Sequence, residues 1–385
     1  MNPINPATSR IQISGIRQFS DLVSQYPDAL SLTIGQPHFP TPSHIKEAAI
    51  KAILDGQTTY TPNRGLPALR KAAATYYSRL CGLSYDPQTE ILVTVGATHA
   101  LDITLSALLE PGDEVLIPAP AYPGYEPIVW LAGATPIYID TRKDDFKLTP
   151  ELLRENVTGR TKVIVIASPA NPTGVAYSPA ELDALAEAIR GTKAYVVTDE
   201  LYTELRFDGV RDSLATRPAM RERTVVIHGL SKSHSMTGWR IGFTFAPEQI
   251  TGAMVKILQY SVSCASSVSQ YAALEALTNG SDDAGPMRDH YRKNADLTVA
   301  AFRELGLPIV PPQGTFYAFP SIEPLGLTSQ TFARRLLDEG RVAVVPGDAF
   351  SAMGEGYVRL SFACEEEKLR DGLSRIAEFV RSIRK

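Results

Sequence analysis

Short apolar runs that stop abruptly at polar residues recur through the first two-thirds of the chain. Ile91–Val95 gives way to Gly96, Ala97 and Thr98, and Glu114–Ile117 leads into PAPAYPGYEP (118–127). Val163–Ala167 ends in SPANPTG (168–174), Tyr195–Val197 in TDELY (198–202), and Val225–Ile227 in HGLSK (228–232). Runs of this length, apolar at successive positions and rich in branched residues, read as buried parallel strands covered on both faces. Between them the apolar positions take helical spacing, as in Leu101, Leu105 and Leu108, or across Leu66–Ala74. The crossover after SPANPTG carries its own punctuation: Ser178 as cap, Pro179 in the first turn, Glu181 closing a capping box, and Gly191 at the end. Strands and helices alternating in this way predict an α/β fold with a doubly wound sheet.

Outside that region the pattern changes. The first 25 residues are polar and mixed, with Pro3 and Pro6 opposing a regular helix, and SLTIGQPHFPTP (31–42) is a loop broken by Gly35 and three prolines. Ser43 with Ile45, Ala48, Ala49 and Ala52 reads as a capped helix, and Pro62, Asn63 and Gly65 mark a turn. One helical pattern covers Pro247–Asn279, followed by a loop at Gly280–Pro286 and a charged helix over Met287–Leu305. Strands around Phe316–Phe319, Val342–Val345 and Tyr357–Phe362, with helices at Ser329–Leu337 and Glu365–Ile383, read as a smaller α/β domain. The expected division is an N-terminal arm contributing to the small domain (1–40), a large domain (41–285) and a small C-terminal domain (286–385).

Composition narrows the function classes. Lys plus Arg is 38 against 42 Asp plus Glu, a net charge of −4, with no basic run, so nucleic acid is not expected as a partner. No apolar run approaches the roughly 18 residues of a membrane span, and the N-terminus lacks a signal-peptide core, so no membrane partner and a cytoplasmic location are expected. Cys81, Cys264 and Cys364 are far apart and suggest no Cys/His pair, and no carboxylate–histidine cluster supports a metal beside Asp199.

The chemistry gathers where strands end. In an open parallel sheet ligands bind beyond the carboxyl ends of the strands, so Asn171, Asp199, Tyr202 and Lys232 should converge. The Gly96-Ala97-Thr98 junction opens a helix and aims backbone N–H groups outward, a natural phosphate cradle. Lys232 lies in GLSKSHSMTGWRIG (229–242), eight residues before Arg240. An ordinary lysine, with a pKa of roughly 10.4, needs a special site or an aldehyde partner to act as a nucleophile. Pyridoxal phosphate is such a partner, with Arg240 and the Ser231 hydroxyl holding its phosphate.

On these residues the chain resembles the class I pyridoxal-phosphate aminotransferases of the aspartate aminotransferase type, whose attachment signature is a small and a hydrophobic residue before Ser-Lys, then Arg eight positions on, then apolar-Gly. The resemblance covers nearly the whole chain and implies fold type I: a large domain with a mostly parallel seven-stranded sheet and a smaller α/β domain. It implies phosphate contacts from Ala97, Thr98 and His99, ring stacking by Tyr122, a pyridine-nitrogen partner in Asp199, and hydrogen bonds to the ring oxygen from Tyr202 and Asn171. Substrate contacts fall on Gly35, Asn171 and Arg359, and Phe316, Tyr317 and Val345–Gly347 are expected to line the same cleft. Tyr60 is expected to reach the cofactor phosphate of a partner subunit, which makes a homodimer the active unit.

The implied reaction moves an amino group between an L-amino acid and a 2-oxo acid, 2-oxoglutarate foremost, in ping-pong fashion, with Lys232 as the catalytic base. ISGIRQFSDLV, SCASSVSQ and GEGYVRLSFAC are similar to the bacterial aminotransferase A group, assigned to N-acetyl-L,L-diaminopimelate in lysine synthesis. Aromatic, alanine and kynurenine aminotransferases share the signature. A pyridoxal-phosphate C–S β-lyase could use the same lysine, whereas a regulator would need a DNA-binding segment for which the N-terminus leaves no room.

Overall fold

The computed structural model describes residues 4–384, so the first three residues of the expected arm and the last of the expected C-terminal domain lie outside the described residues. At its centre a seven-stranded sheet has the spatial order Ile91–Thr94, Gly242–Phe245, Thr224–Gly229, Tyr195–Asp199, Thr161–Ala167, Glu114–Ala119 and Thr135–Asp140. Only Gly242–Phe245 is antiparallel to its neighbours; the other pairings are parallel.

Successive strand residues point to opposite faces, and the core sorts accordingly. Val115, Ile117, Val163, Val165, Val197 and Val225 pack with helices Gly96–Leu108 and Glu248–Ser261 on one face. On the other, Leu116, Ile164, Ile166 and Val196 meet helix Pro179–Arg190. Beside them Val93, Val226, Phe243 and Phe245 meet helices Ser43–Leu54, Pro67–Cys81 and Ser267–Asn279. Both faces being covered explains why the central positions of the inner strands are apolar in succession.

A smaller body follows helix Ala284–Glu304. Val345–Pro346, Val358–Ser361 and Tyr317–Ala318 form an antiparallel sheet, and Leu30–Ser31 pairs in parallel with Val342–Ala343. Helices Ser329–Gly340 and Glu366–Ile383 close its core. No helix among the described residues is long and apolar enough to cross a membrane.

Three expectations are corrected. The helical stretch over Pro247–Asn279 is two helices, Glu248–Ser261 and Ser267–Asn279. Ser263 takes a left-handed φ of 61°, and Ser266 uses its hydroxyl to accept from Ser269 N, so side chains that compete for backbone groups stop one helix and cap the next. Ser43 begins its helix rather than capping it: Pro42 holds the cap position, with no side-chain hydrogen bond. Finally, Cys81 and His228 do meet, with Sγ 3.9 Å from Nε2, and Glu200 Oε2 lies 3.3 Å from the same nitrogen. These ligand-type atoms lie within 4.8 Å of one another. Helix Pro67–Cys81 ends on the strand that carries His228, an encounter that sequence separation hides. Burial raises the Cys81 thiol well above its ordinary value, and it donates to the Tyr77 carbonyl at 3.3 Å as a neutral core group.

Candidate active site

The carboxyl ends of the parallel strands open into one cavity of about 1050 Å³, bounded on its far side by the small body and by residues 10–18. Asn171, Asp199, Tyr202, Ser231, Lys232, Arg240, Arg359, Gly35, Ala97, Thr98 and Tyr122 all line it. His99 and Tyr60 do not: the His99 ring accepts from Val95 N at 3.2 Å and faces Ser261 Oγ at 3.2 Å, while Tyr60 is 88% exposed elsewhere. Of the expected cleft residues Tyr317 lines the cavity, as do Asp348 and Ala349 just past the Val345–Gly347 turn.

Lys232 leaves the strand Thr224–Gly229 and donates through Nζ to the Gly35 carbonyl at 2.7 Å. Its ammonium lies 5.9 Å from the Tyr202 ring and 5.8 Å from that of Phe316. Burial, then the positive charges of Arg359 and Arg240, push its pKa down to about 8, against a smaller opposing pull from Asp199. Near neutrality a usable fraction of this amine is therefore unprotonated.

Asp199 ends its strand and accepts from Tyr125 Oη at 2.8 Å and from Leu201 N at 3.3 Å. Burial raises this carboxyl, and the two donors partly offset it. Sequence reasoning assigned Tyr125 no contact of its own. Its ring stands edge-on to Tyr122, with centroids 5.5 Å apart, and nothing local in AYPGY distinguishes a ring that faces the cavity from one that hydrogen-bonds beneath it.

Arg359 is the largest fully buried side chain. It donates to Asn171 Oδ1 at 3.0 Å and to the Thr33 carbonyl at 2.9 Å, and lies 4.2 Å from the Tyr317 ring centroid and 4.8 Å from that of Phe350. Its Nε has no partner, and no carboxylate pairs with it among the described residues. A buried guanidinium held only by neutral acceptors is a strong anion receptor, because its desolvation is not yet offset by an opposite charge. Beside it Tyr202 donates to Tyr317 Oη at 3.3 Å, and burial raises the Tyr202 phenol well above its ordinary value.

At the opposite end of the cavity, helix Gly96–Leu108 begins with no side-chain cap, so its first N–H groups are free to receive an anion. Arg240, in a left-handed conformation (φ 54°), reaches over this turn and donates to Thr237 O at 3.1 Å and Val95 O at 3.4 Å. The close approach needs glycine: at Gly96 (φ 76°) a Cβ would stand 2.4 Å from the Arg240 guanidinium, and at Gly242 one would stand 2.8 Å from Ala97 N. Free amides, a guanidinium and the Ser231 hydroxyl suit a phosphate dianion, Tyr122 an aromatic ring, Asp199 a cationic ring nitrogen, and Lys232 an aldehyde. The donor set fits a phosphorylated pyridine aldehyde.

Comparison with known proteins agrees. The family model described as "Aminotransferase class I and II" matches residues 27–376. A probable N-acetyl-LL-diaminopimelate aminotransferase of Bacillus subtilis is 51% identical over 98% of this chain and 95% of its own length. Among solved structures, the aspartate aminotransferase of Thermus thermophilus with maleate superposes with a TM-score of 0.93 at 37% identity, covering 98% of this chain and 100% of that one. An aromatic aminotransferase from Pyrococcus horikoshii gives 0.90 at 42% identity, covering 94% and 99%.

Proposed function

The chain belongs to the class I and II aminotransferases, and from that membership we propose that it is a pyridoxal-phosphate enzyme that takes the amino group of N-acetyl-L,L-diaminopimelate and passes it to 2-oxoglutarate. The carrying observation is the buried, carboxylate-free Arg359 in one cavity with the Lys232 amine, whose pKa is about 8. That pair is what recognition of an α-amino acid and removal of its α-proton require.

Arg359 binds the α-carboxylate with its fork, Asn171 and Thr33 fixing the plane of the guanidinium so that the substrate enters in one orientation. Bound pyridoxal phosphate supplies the electron sink that makes the α-proton acidic. Ala97 and Thr98 through their backbone, with the His99 N–H behind them in the uncapped first turn and with Ser231 and Arg240, would hold its phosphate; Tyr122 would cover its ring, and Tyr202 and Asn171 would face its ring oxygen. The Asp199 carboxylate, steadied by Tyr125 and Leu201, would receive the ring N–H. Lys232 Nζ, which donates to the Gly35 carbonyl, would take and hold the α-proton, with burial first and then the charges of Arg359 and Arg240 keeping the amine neutral often enough to do so. Tyr60 lies outside its own cavity because it serves the phosphate of a second subunit in a homodimer.

The test follows the visible absorption of the cofactor-loaded enzyme as single amino acids are added. N-acetyl-L,L-diaminopimelate should change the spectrum with release of one equivalent of its 2-oxo acid, and 2-oxoglutarate should restore it with formation of glutamate. Persistence of the starting spectrum with every donor, or release of pyruvate and ammonia from cystathionine instead, overturns the assignment.

A further inference from the structure

The buried meeting of Cys81, Glu200 and His228 has no part in the chemistry above, and none of the three lines the large cavity. Three separate elements supply them. Cys81 closes helix Pro67–Cys81, Glu200 follows the strand Tyr195–Asp199, and His228 lies within the strand Thr224–Gly229. All three are buried, His228 completely. Glu200 Oε2 stands 3.3 Å from His228 Nε2, yet the two are not aligned as a hydrogen bond, and Oε2 has no other partner. A carboxylate oxygen left unpaired in the core is costly, so this one calls for a positive group close by.

The spacing suits two ligands of one tetrahedral ion. With zinc–nitrogen and zinc–oxygen bonds of about 2.0 Å, neighbouring ligand atoms lie about 3.3 Å apart, the separation found between Glu200 Oε2 and His228 Nε2. A thiolate with a bond of about 2.3 Å would lie about 3.5 Å from the nitrogen. Cys81 Sγ, now 3.9 Å away, would reach that position by a small turn of its side chain. The ligands are held from outside: Ser213 Oγ donates to Glu200 Oε1 at 2.6 Å, and the Tyr77 ring stacks on His228 with centroids 4.1 Å apart. Charge also balances, since one thiolate and one carboxylate neutralise a divalent ion. In exchange for the ion Cys81 gives its proton to water, and the Tyr77 carbonyl loses only an S–H donor, because helix geometry already pairs it with Cys81 N. Access is available as well. Glu204, whose Oε2 is likewise buried without a partner, lines a second cavity of about 460 Å³ together with Tyr76 and Leu80 of the same helix.

We propose that Cys81 Sγ, Glu200 Oε2 and His228 Nε2 form a structural site for one Zn²⁺ ion, with water in the fourth position. A thiolate, imidazole and carboxylate set selects zinc over the oxygen-seeking magnesium and calcium. The ion pins the end of helix Pro67–Cys81 to two strands of the large sheet, one residue from Asp199 and four from Lys232. It acts on stability and takes no part in the reaction, so the site stands or falls independently of the proposed substrate.

The experiment loads the untagged holoenzyme with zinc chloride, dialyses it against metal-free buffer and measures zinc by plasma mass spectrometry. About one zinc per chain should remain in the wild type, and less than about a tenth of that in Cys81→Ser and His228→Gln. Cys264→Ser, at a thiol outside the cluster, should keep the full amount. Zinc-edge X-ray absorption of the wild type should show one sulfur at about 2.3 Å and lighter ligands at about 2.0 Å. Extraction with a chelator should lower the melting temperature of the wild type and leave that of the two zinc-free variants where it was. Circular dichroism checks that each variant folds; where one does not, the sulfur shell of the wild type decides alone. A wild type that retains no zinc, a shell without sulfur, or full zinc in folded Cys81→Ser or His228→Gln overturns the site.

Discussion

Lys232 shows how much of the site's chemistry depends on its immediate neighbours. A lysine with a pKa of about 8 is roughly a tenth neutral at pH 7, whereas an ordinary one is neutral to less than about one part in a thousand. In the cofactor-free protein, carbamylation of Lys232 read by mass spectrometry should therefore climb with pH through a midpoint near 8 and level off about one to two units above it. Removing a like charge favours the ammonium, so Arg359→Gln should move that midpoint upward. A wild-type profile still rising at pH 10, or a downward shift in the variant, would contradict this account. Tyr125 offers a second case. Tyr125→Phe deletes a hydrogen bond to the Asp199 carboxylate, a contact that helps keep that group ionised against burial. Cofactor affinity measured by dialysis and fluorescence should fall by about tenfold, in the range of one charge-assisted bond.

At the level of elements, local rules were readable wherever a side chain acts on its own backbone. The helix Pro179–Arg190 has its capping box formed in both directions, with Ser178 Oγ accepting from Glu181 N and Glu181 Oε2 accepting from Ser178 N. Ser178→Ala should cost about 1 kcal/mol, read as a lower urea midpoint with unchanged slope, and leave KM for either substrate in place because neither Ser178 nor any residue of this helix lines the cavity. The strands that lead to Asn171, Asp199 and Lys232 were equally legible, since a parallel sheet buried on both faces demands apolar runs that stop where the ligand site starts. Contacts across elements were not. Cys81 meets His228, Tyr125 meets Asp199, and the Val342–Val345 run changes partner midway, pairing first with Leu30–Ser31 and then with Val358–Ser361. Each of these depends on how a distant segment is seated, which periodicity does not encode. The break at Ser263 was hidden for another reason: serine tolerates a helix and also caps one, and here the distant Asn63 side chain donates to the Ser263 carbonyl at 2.8 Å, a contact that local pattern does not encode.

For the whole molecule the unanswered demand is an exposed face. Tyr60 and Tyr260 are each 88% exposed, Leu54 is 80% exposed, and Ile50, Ile53 and Val262 are exposed beside them in sequence, a burden of apolar side chains that a lone subunit gains nothing by presenting to water. A homodimer that buries this face would carry Tyr60 away from its own cavity and toward its partner's. The consequence is testable by complementation. Tyr60→Ala and Lys232→Ala proteins should each be weak or inactive alone. Mixed dimers, formed by coexpression and isolated by two affinity tags, should contain one site with both residues intact and one with both replaced, and so recover up to half of wild-type turnover per dimer. If Tyr60 acted within its own subunit, every site in the mixed dimer would carry one defect, and activity would stay at the average of the two parents. Sedimentation should give twice the 41.9 kDa chain mass, and Leu54→Glu, a charge placed in the face, should lower that mass and cofactor affinity together.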